Sequence, residues 1–326
     1  MVDIVNLIKE RAGKHLKKVL LVEGEDDRII EAASKAVVQK LAKPILLGDE
    51  KIIKNIAKDK KISLEGIEIL DYKRLDDLNS RYAKQLHELR KAKGMELEEA
   101  QNLIQNPNYF GTLYVRLGKA DAVVGGCKFT TAEFMKPAFQ VIGKRKDVVC
   151  ASGVSAIVMA DRVIFLSDTD FSIKPSVEEL AQIAINAAEC AQSLGFTPRV
   201  ALLSHSTKGS GEHPSLQPIR EALALVKKKR PELIIDGEMQ ADASISPNSA
   251  KRKCPSSVIQ GDANVLIFPD IFSANISCHL LHQLAKIEIF GSFAWGMDKP
   301  VTNGGRGYNA DEILNVIATA AFQANL

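Results

Sequence analysis

The stretch Asn264-Val-Leu-Ile-Phe-Pro-Asp270 decides the fold class of this 326-residue chain. Residues 265–268 form a short apolar run that Pro269 and Asp270 end, which predicts a buried strand. Ligands of open α/β sheets bind beyond the carboxyl ends of the strands, and the polar segment from Asp270 to Asn275 follows this strand directly. The sequence therefore predicts a layered α/β protein with a ligand site at this strand end.

The same strand-loop-helix unit recurs along the chain in both directions. Apolar runs predict strands at residues 19–24, 44–48, 68–70, 120–126, 199–204 and 233–236. Helices are predicted between them, at residues 76–90, 96–105, 132–142, 176–195 and 214–229, and from residue 309 onward. This alternation predicts two layered α/β domains with mostly parallel sheets. Two apolar runs at residues 151–159 and 162–166 break it and predict an antiparallel hairpin, so we place a domain boundary near residue 147.

The composition is that of an ordinary globular protein, with 46% hydrophobic and 25% charged residues. The formal charge of +3 gives no case for nucleic acid as a partner. No run approaches the ~18 apolar residues that span a bilayer, and the charged N-terminus is unlike a secretory signal. Five cysteines without a C-x-x-C pair predict reduced thiols and a cytoplasmic location.

The loop Ser204-His-Ser-Thr-Lys-Gly-Ser-Gly211 is the best local signal for a ligand. Its glycines let the backbone approach a phosphate, and its N–H groups and the following helix start favour anions. It is not a Walker A loop, because G-x-x-x-x-G-K-[ST] is absent. A polar loop without a ligand is the alternative.

A glycine-flanked arginine lies in Asn303-Gly-Gly-Arg-Gly307, just before the last helix. Arginine suits bidentate contact with phosphate or carboxylate. Glu312 follows in the first turns of that helix. The alternative is an exposed arginine followed by a glutamate at a helix start.

Other clusters give weaker indications. The spacing of Asp236, Glu238 and Asp242 fits no closed set of metal ligands, so no metal is predicted. His279 and His282 lie three residues apart on a predicted helix, where packing or surface positions are the usual role.

Several segments, in the right order and over nearly the whole length, resemble the phosphate acyltransferase family. The segments that carry the resemblance are Glu23-Gly-Glu-Asp-Asp-Arg-Ile-Ile-Glu-Ala-Ala33, Leu89-Arg-Lys-Ala-Lys-Gly-Met95, Ser204 to Gly211, Ile235-Asp-Gly-Glu-Met-Gln-Ala-Asp-Ala243, Ala263 to Asp270, Lys299-Pro-Val301 and Arg306-Gly307.

The resemblance implies two α/β domains with the active site in the cleft between them, usually in a homodimer. The first domain would comprise residues 1–147 completed by the C-terminal helix in 298–326, and the second residues 148–297. The implied reaction transfers an acyl group, acetyl by default, between an acyl phosphate and coenzyme A, with inorganic phosphate as the other product. No metal, cofactor or covalent acyl-enzyme is implied, and coenzyme A is a substrate.

Individual positions carry over from the family by motif. The implied catalytic residues are Arg306 for phosphate contact and charge stabilisation, Glu312 as the base for the coenzyme A thiol, and Arg90 in the cleft. The implied substrate-binding residues are Thr130, Thr131, Lys136, Ser206, Thr207, Lys208, Gly209, Ser210, Gly211, Asn275 and Gly305.

The sequence also departs from the family pattern at five of these positions or their neighbours. The family motif Asn-Asp-Leu-Ser-Arg-Gly is Thr302-Asn-Gly-Gly-Arg-Gly307 here, so Gly305 replaces a serine whose hydroxyl lies beside the reacting carbonyl. Losing one such donor costs roughly 3 kcal/mol in the transition state. Glu312 replaces an aspartate, Lys136 an arginine, Phe129 a histidine and His279 a lysine.

These departures keep alternatives open. The leading hypothesis is a phosphate acetyltransferase. A transferase for another short acyl group and a non-catalytic relative that binds acyl phosphate or coenzyme A are the alternatives. A decarboxylating dehydrogenase of similar architecture lacks support, because no G-x-G-x-x-G follows the first strand.

Overall fold

A computed structural model describes residues 4–285 and 287–326 of the chain. These residues form two compact units. One unit comprises Val5–Lys144 and Met297–Leu326, and the other comprises Arg145–Gly296.

Strands and helices alternate along both units. The strands are β1 Lys18–Leu21, β2 Lys43–Leu47, β3 Glu68–Leu70, β4 Ala122–Gly125, β5 Ser152–Val158, β6 Val163–Ser167, β7 Arg199–Leu203, β8 Ile234–Met239, β9 Val265–Ile267, β10 Glu288–Trp295 and β11 Val301–Asn303. The helices are α1 Ile4–Lys14, α2 Asp27–Val38, α3 Glu50–Asp59, α4 Asp76–Arg90, α5 Leu97–Leu103, α6 Pro107–Arg116, α7 Thr131–Val141, α8 Val177–Ser193, α9 Gln217–Lys229, α10 Ala241–Ile245, α11 Pro247–Lys253, α12 Ile271–Ala285 and α13 Ala310–Gln323.

The unit formed by Val5–Lys144 and Met297–Leu326 has a parallel sheet in the order β3-β2-β1-β4-β11. The late strand β11 pairs with β4 through Val301 and Val123, and α13 then packs on α2 and β4. The C-terminal segment therefore completes the unit that the N-terminal segment begins. Parallel strands bring the carboxyl ends of β1, β4 and β11 to one edge, where α/β proteins bind ligands.

The second unit has a mixed sheet in the order β10-β5-β6-β9-β7-β8. The β10-β5 and β5-β6 pairs are antiparallel, and the remaining pairs are parallel. The β5-β6 pair confirms the predicted hairpin. The predicted α/β class with mostly parallel sheets is also confirmed.

Capping boxes fix the start of α7, α8 and α13. Capping boxes join Thr130 to Glu133 before α7, Ser176 to Glu179 before α8, and Asn309 to Glu312 before α13. Each pair satisfies two backbone N–H groups that have no partner within the helix. The predicted capping box at Ser176 is confirmed.

Some elements lie where the sequence pattern predicts none. Strands β10 and β11 and the short helices α10 and α11 fall in segments without a clear period. The register of β10 shifts between Phe290 and Phe293, which breaks the alternation of a regular strand. Among the described residues, no helix is both long enough and apolar enough to cross a membrane.

Candidate active site

A buried carboxylate shapes the loop that follows β4. Glu23, just beyond β1, accepts hydrogen bonds from the backbone N–H groups of Gly126, Cys127, Lys128 and Phe129, at 3.2, 2.9, 2.8 and 2.7 Å. Four donors on one carboxylate hold four successive residues in one conformation. The loop therefore delivers the next residues to the strand edge in a fixed position.

Gly126 is the point where the ends of β4 and β11 come together. Its backbone has φ of +81°, and a Cβ atom there would overlap the amide oxygen of Asn303. Only glycine combines this backbone conformation with so close a neighbour.

Thr130 and Thr131 lie at this edge, at the start of α7. The Thr130 N–H and hydroxyl both donate to Glu133 Oε2, at 2.7 and 2.8 Å, and Asn303 Nδ2 donates to Thr131 Oγ1 at 3.2 Å. These Thr130 donors hold the pKa of Glu133 below its usual value, and the charge of Arg306 lowers it further. Arg306 is therefore close to the start of α7.

The turn that carries Arg306 is anchored by Arg28 of α2. Arg28 Nη1 donates to the carbonyl oxygens of Arg306 and Tyr308, at 2.9 and 2.8 Å, and Nη2 donates to that of Cys127 at 3.0 Å. Asp26 accepts from Nε and Nη2 at 3.0 and 2.8 Å, which orients the guanidinium. One arginine therefore joins the loop after β4 to the turn after β11.

Glu312 lies at the start of α13 and caps it. Its Oε2 accepts from the Asn309 N–H at 2.8 Å, while the Glu312 N–H donates to Asn309 Oδ1 at 3.0 Å. The capping role fixes the carboxylate near the Arg306 turn. Its role as a base stays a prediction.

Arg90 and Lys136 lie on other helices of the same unit. Arg90 is the last residue of α4, and its Nε is buried without a hydrogen-bond partner among the described residues. Burial raises the pKa of Tyr109, and the nearby Arg90 charge opposes that rise. Lys136 is exposed on α7. The structure thus places Arg306, Glu312, Thr130 and Thr131 at one strand edge, with Arg90 on α4 and Lys136 on α7 of the same unit.

The 204–211 loop belongs to the other unit, where protein acceptors already occupy most of its donors. Glu238 Oε1 accepts from the Gly209 N–H at 2.8 Å and from the Ser206 hydroxyl at 3.2 Å. The Thr207 N–H donates to Ser210 Oγ at 2.9 Å, and the Gly211 N–H donates to Ser206 Oγ at 3.0 Å. Phosphate binding by this loop stays a prediction, and it would require a ligand to compete with these bonds.

The acidic residues beside this loop are paired with cations. Arg220 holds Glu238 through Nε and Nη2, at 2.8 and 3.0 Å, and these bonds lower the pKa of Glu238 to about 2. Asp236 accepts from Lys208 Nζ and Ser257 Oγ, both at 2.6 Å. Burial opposes the effect, but these bonds hold the pKa of Asp236 below its usual value.

No group of three or more His, Cys, Asp and Glu side chains that could hold a metal occurs within residues 4–285 and 287–326. Asp236 and Glu238 are engaged as described, and Asp242 pairs with Lys253 at 2.8 Å. The described part of the chain therefore offers no preformed set of metal ligands in this acidic cluster.

A second buried carboxylate lies beyond β6. Asp168 accepts from the N–H groups of Gly153, Asp170, Phe171 and Ser172, at 2.8, 3.1, 3.3 and 2.8 Å, and burial raises its pKa to about 6. Asn275 joins this region, because its Nδ2 donates to the Thr169 carbonyl at 3.3 Å.

Reasoning from the sequence assigned no role of their own to Glu23, Arg28 and Asp168, each of which holds a loop in its own unit. Glu23 and Asp168 follow the buried strands β1 and β6, and that position is the signal that favours them. Arg28 lies in the first turn of α2, where no such signal exists. Their partners are up to 280 residues away in the chain, so the sequence pattern does not name them.

The class of the protein follows from these features and from its sequence. The family model described as phosphate acetyl/butaryl transferase matches residues 3–321. The chain belongs to this family of acyltransferases.

Named relatives agree with this assignment. The phosphate acetyltransferase of Bacillus subtilis is 37% identical over 328 residues, which cover 99% of this chain and 100% of the relative. That of Helicobacter pylori is 38% identical over 317 residues, which cover 97% of this chain but 61% of the relative. The solved structure of the EutD phosphotransacetylase from Staphylococcus aureus has a TM-score of 0.87 at 34% identity and covers 99% of this chain and 98% of that one.

Proposed function

We propose that this chain transfers an acetyl group reversibly between acetyl phosphate and coenzyme A. The observation that carries the proposal is the Arg306 turn, which Arg28 anchors beside Glu312 and Thr131 at the carboxyl ends of β4 and β11. A cation carried on an anchored turn, six residues before a carboxylate at a helix start, suits the reaction of a thiol with an acyl phosphate. The names of the family and of its relatives support the same activity.

In the proposed mechanism the coenzyme A thiol gives its proton to the Glu312 carboxylate. The thiolate then attacks the carbonyl carbon of acetyl phosphate, the carbon–sulfur bond forms, and the bond to the phosphate oxygen breaks. The leaving phosphate takes the proton, so the products are acetyl-coenzyme A and inorganic phosphate. Arg306 stabilises the negative charge that grows on the phosphate and on the carbonyl oxygen. Asn309 keeps the Glu312 carboxylate in place through its N–H.

Coenzyme A takes part as a substrate, and the proposed reaction uses no resident metal or cofactor. We also propose a cytoplasmic location. The five cysteines are free thiols, which is usual in reducing compartments. Activity that survives dialysis against a chelator, measured on the full chain, would support the metal-free mechanism.

The rate of acetyl-coenzyme A formation from acetyl phosphate and coenzyme A tests the proposal, followed by thioester absorbance. We expect turnover in the wild type and a loss of at least ~100-fold in Arg306→Ala. Arg252→Ala is the matched control, because Arg252 is an exposed arginine on α11 and should leave the rate unchanged.

Propionyl and butyryl phosphate distinguish the alternatives in the same assay. A higher rate with either would assign a different short acyl group. Folded protein that binds coenzyme A but turns over none of the three would overturn the transferase and favour the non-catalytic relative.

We further propose that the chain acts as a homodimer, with α12 at the subunit contact. Phe272, Ile276, Leu280 and Leu284 recur every four residues, which places them on one face, and Leu284 is 80% exposed. The helix contains no Asp, Glu, Lys or Arg. A second copy is the expected partner, because an uncharged apolar stripe is complementary to itself across a twofold axis.

A further inference from the structure

Asn303, the last residue of β11, is held in place by its neighbours in the sheet. It pairs with Gly125 of β4, and the N–H of the next residue, Gly304, donates to the Gly125 carbonyl at 2.8 Å. Asn303 is 6% exposed, and its amide oxygen lies so close to Gly126 that a Cβ atom there would overlap it. The pairing and the glycine together therefore fix the position of the side-chain amide.

The two ends of this amide differ in their hydrogen bonding. Nδ2 donates to Thr131 Oγ1 at 3.2 Å, whereas Oδ1 is buried with no hydrogen-bond partner among the described residues. Burying an unpaired acceptor is unfavourable, so packing alone gives no reason for an amide at this position. The bond from Nδ2 to Thr131 does give one.

This bond sets the direction of the Thr131 hydroxyl. Because the hydroxyl oxygen accepts from Asn303, its proton is left for another acceptor. Thr131 is half-buried and is the first residue of α7, where the backbone N–H groups have no partner within the helix. The start of α7 therefore presents a hydroxyl proton beside backbone donors.

The charges around this hydroxyl favour an anion. Arg306 is close enough for its charge to help to lower the pKa of Glu133, in the first turn of α7. The Glu133 carboxylate is itself turned back to Thr130, from whose N–H and hydroxyl Oε2 accepts at 2.7 and 2.8 Å. A guanidinium and a hydroxyl proton near one helix start suit a group with several anionic oxygens.

We propose that Asn303 is a positioning residue, which turns the Thr131 hydroxyl so that its proton is donated to a phosphate oxygen of the acyl phosphate. The identity of this ligand rests on the proposed acyl transfer. Asn303 acts through Thr131, and no proton changes its owner in this step. In the reverse reaction the same hydroxyl donates to inorganic phosphate.

Binding of inorganic phosphate to the full chain, measured by calorimetry, tests the inference without turnover. We expect Thr131→Val to raise Kd by ~10-fold, because one hydrogen bond to a charged group is lost. Asn303→Asp should raise it at least as much, because a carboxylate accepts the Thr131 proton. Asn303→Asp with the wild-type Kd would show that the hydroxyl already donates to residue 303, and this result overturns the inference.

Thr302→Val is the matched control for the loss of a hydroxyl. Thr302 precedes Asn303 in β11, but its Oγ1 donates to Gln323 Oε1 of α13 at 3.3 Å. We expect its Kd for phosphate to stay within ~2-fold of the wild-type value. Thr131→Ser, which keeps the hydroxyl, should stay within ~3-fold.

A double-mutant cycle separates positioning from a general structural role. Asn303→Ala adds no charge, and we expect it to raise Kd for phosphate by at least ~3-fold in the wild type and to have no further effect in Thr131→Val. KM for acetyl phosphate should follow the same pattern, while KM for coenzyme A stays within ~2-fold. Equal losses in both backgrounds, or no loss in either, would overturn the role of Asn303.

The two measurements also distinguish this inference from the proposed function. Wild-type protein that forms acetyl-coenzyme A, with a phosphate Kd that neither Asn303→Asp nor Thr131→Val changes, overturns the role of Asn303 alone. Wild-type protein that turns over none of the three acyl phosphates overturns the proposed function and, with it, acyl phosphate as the ligand.

Discussion

Single buried carboxylates organise the loops of this protein. Glu23, Asp168 and Glu238 each accept hydrogen bonds from backbone N–H groups of a loop next to a strand end. The effect on pKa differs with the partner. Burial raises the pKa of Asp168 to about 6, whereas Arg220 lowers that of Glu238 to about 2. A neighbouring guanidinium therefore decides whether folding favours the charged form of a buried carboxylate: Glu238 has one, and Asp168 does not owe its raised pKa to one.

Glu238→Gln is expected to destabilise the Arg145–Gly296 unit. Lowering the pKa of this buried carboxyl from 4.5 to about 2 corresponds to about 3 kcal/mol at neutral pH. Because the folded pKa is depressed, this stability is present above pH 4.5 and is lost as the pH falls towards 2. Urea unfolding followed by Trp295, the single tryptophan and a residue of this unit, measures the difference.

Glu178→Gln is the control for that experiment, because Glu178 is exposed on α8. We expect it to change the free energy of unfolding by less than ~0.5 kcal/mol. A Glu238→Gln variant as stable as the wild type at pH 7 would show that Arg220 gains as much from water as from Glu238.

At the scale of elements, α2 carries the residue that joins two loops. Arg28 lies in the first turn of α2, and its guanidinium reaches the loop after β4 and the turn after β11 at the same time. Asp26, the N-cap of α2, orients it. The start of one helix thus sets the position of Arg306 and Tyr308.

Arg28→Lys is expected to loosen the Arg306 turn. A lysine keeps the charge but cannot donate to three carbonyls and Asp26 from one planar group. We expect kcat for acetyl transfer to fall by ~10- to 100-fold while the melting temperature drops by only a few degrees. Arg81→Lys, on the exposed side of α4, should keep the wild-type kcat. An unchanged kcat in Arg28→Lys would mean that the turn holds its conformation without the guanidinium.

At the scale of the whole molecule, the apolar face of α12 determines assembly in our proposal. Soluble monomers rarely expose a continuous apolar stripe of this kind. The stripe from Phe272 to Leu284 is flanked by His279 and His282 and by no Asp, Glu, Lys or Arg of the helix itself. Burying it against a second copy removes this surface from water.

Leu280→Glu is therefore expected to convert a dimer into a monomer, because the charge would be buried without a partner in the contact. Light scattering should give twice the 35.6 kDa of one chain for the wild type and 35.6 kDa for the variant. Val38→Glu is the matched control, since Val38 is 78% exposed at the end of α2, outside α12, and the variant should remain a dimer. A monomeric wild type would contradict the proposed assembly.

Much of the fold could be predicted from local pattern. The run at residues 265–268 and the strand-helix alternation around it indicate the α/β class, and the 151–159 and 162–166 runs indicate the β5-β6 hairpin. The predicted limits of α4 and β3 agree with the structure. These predictions succeed because strand and helix periods and capping residues act within a few positions of the chain.

The candidate site was predictable only as a set of residue types. Arg306, Glu312 and Thr131 were named in the sequence, but their positions next to Arg28 and Asn303 depend on the pairing of β11 with β4. The 204–211 loop was the best local signal for a phosphate, with a polar loop without a ligand as the alternative. The structure adds that several of its donors bind protein acceptors, and phosphate binding there stays a prediction. Strand β11 has three residues and no period of its own, so no local pattern predicts it.

By itself, the sequence determined the α/β class, the order of most elements and, through its motifs, the family. Only the tertiary structure decided that Arg28 anchors the Arg306 turn, that Glu238 holds the 204–211 loop, and that the Asn303 amide donates to Thr131. The physical reason is the separation along the chain of the residues that interact. Hydrogen bonding and side-chain period within an element depend on neighbours in the chain, whereas a site depends on atoms that meet only when distant segments pack together.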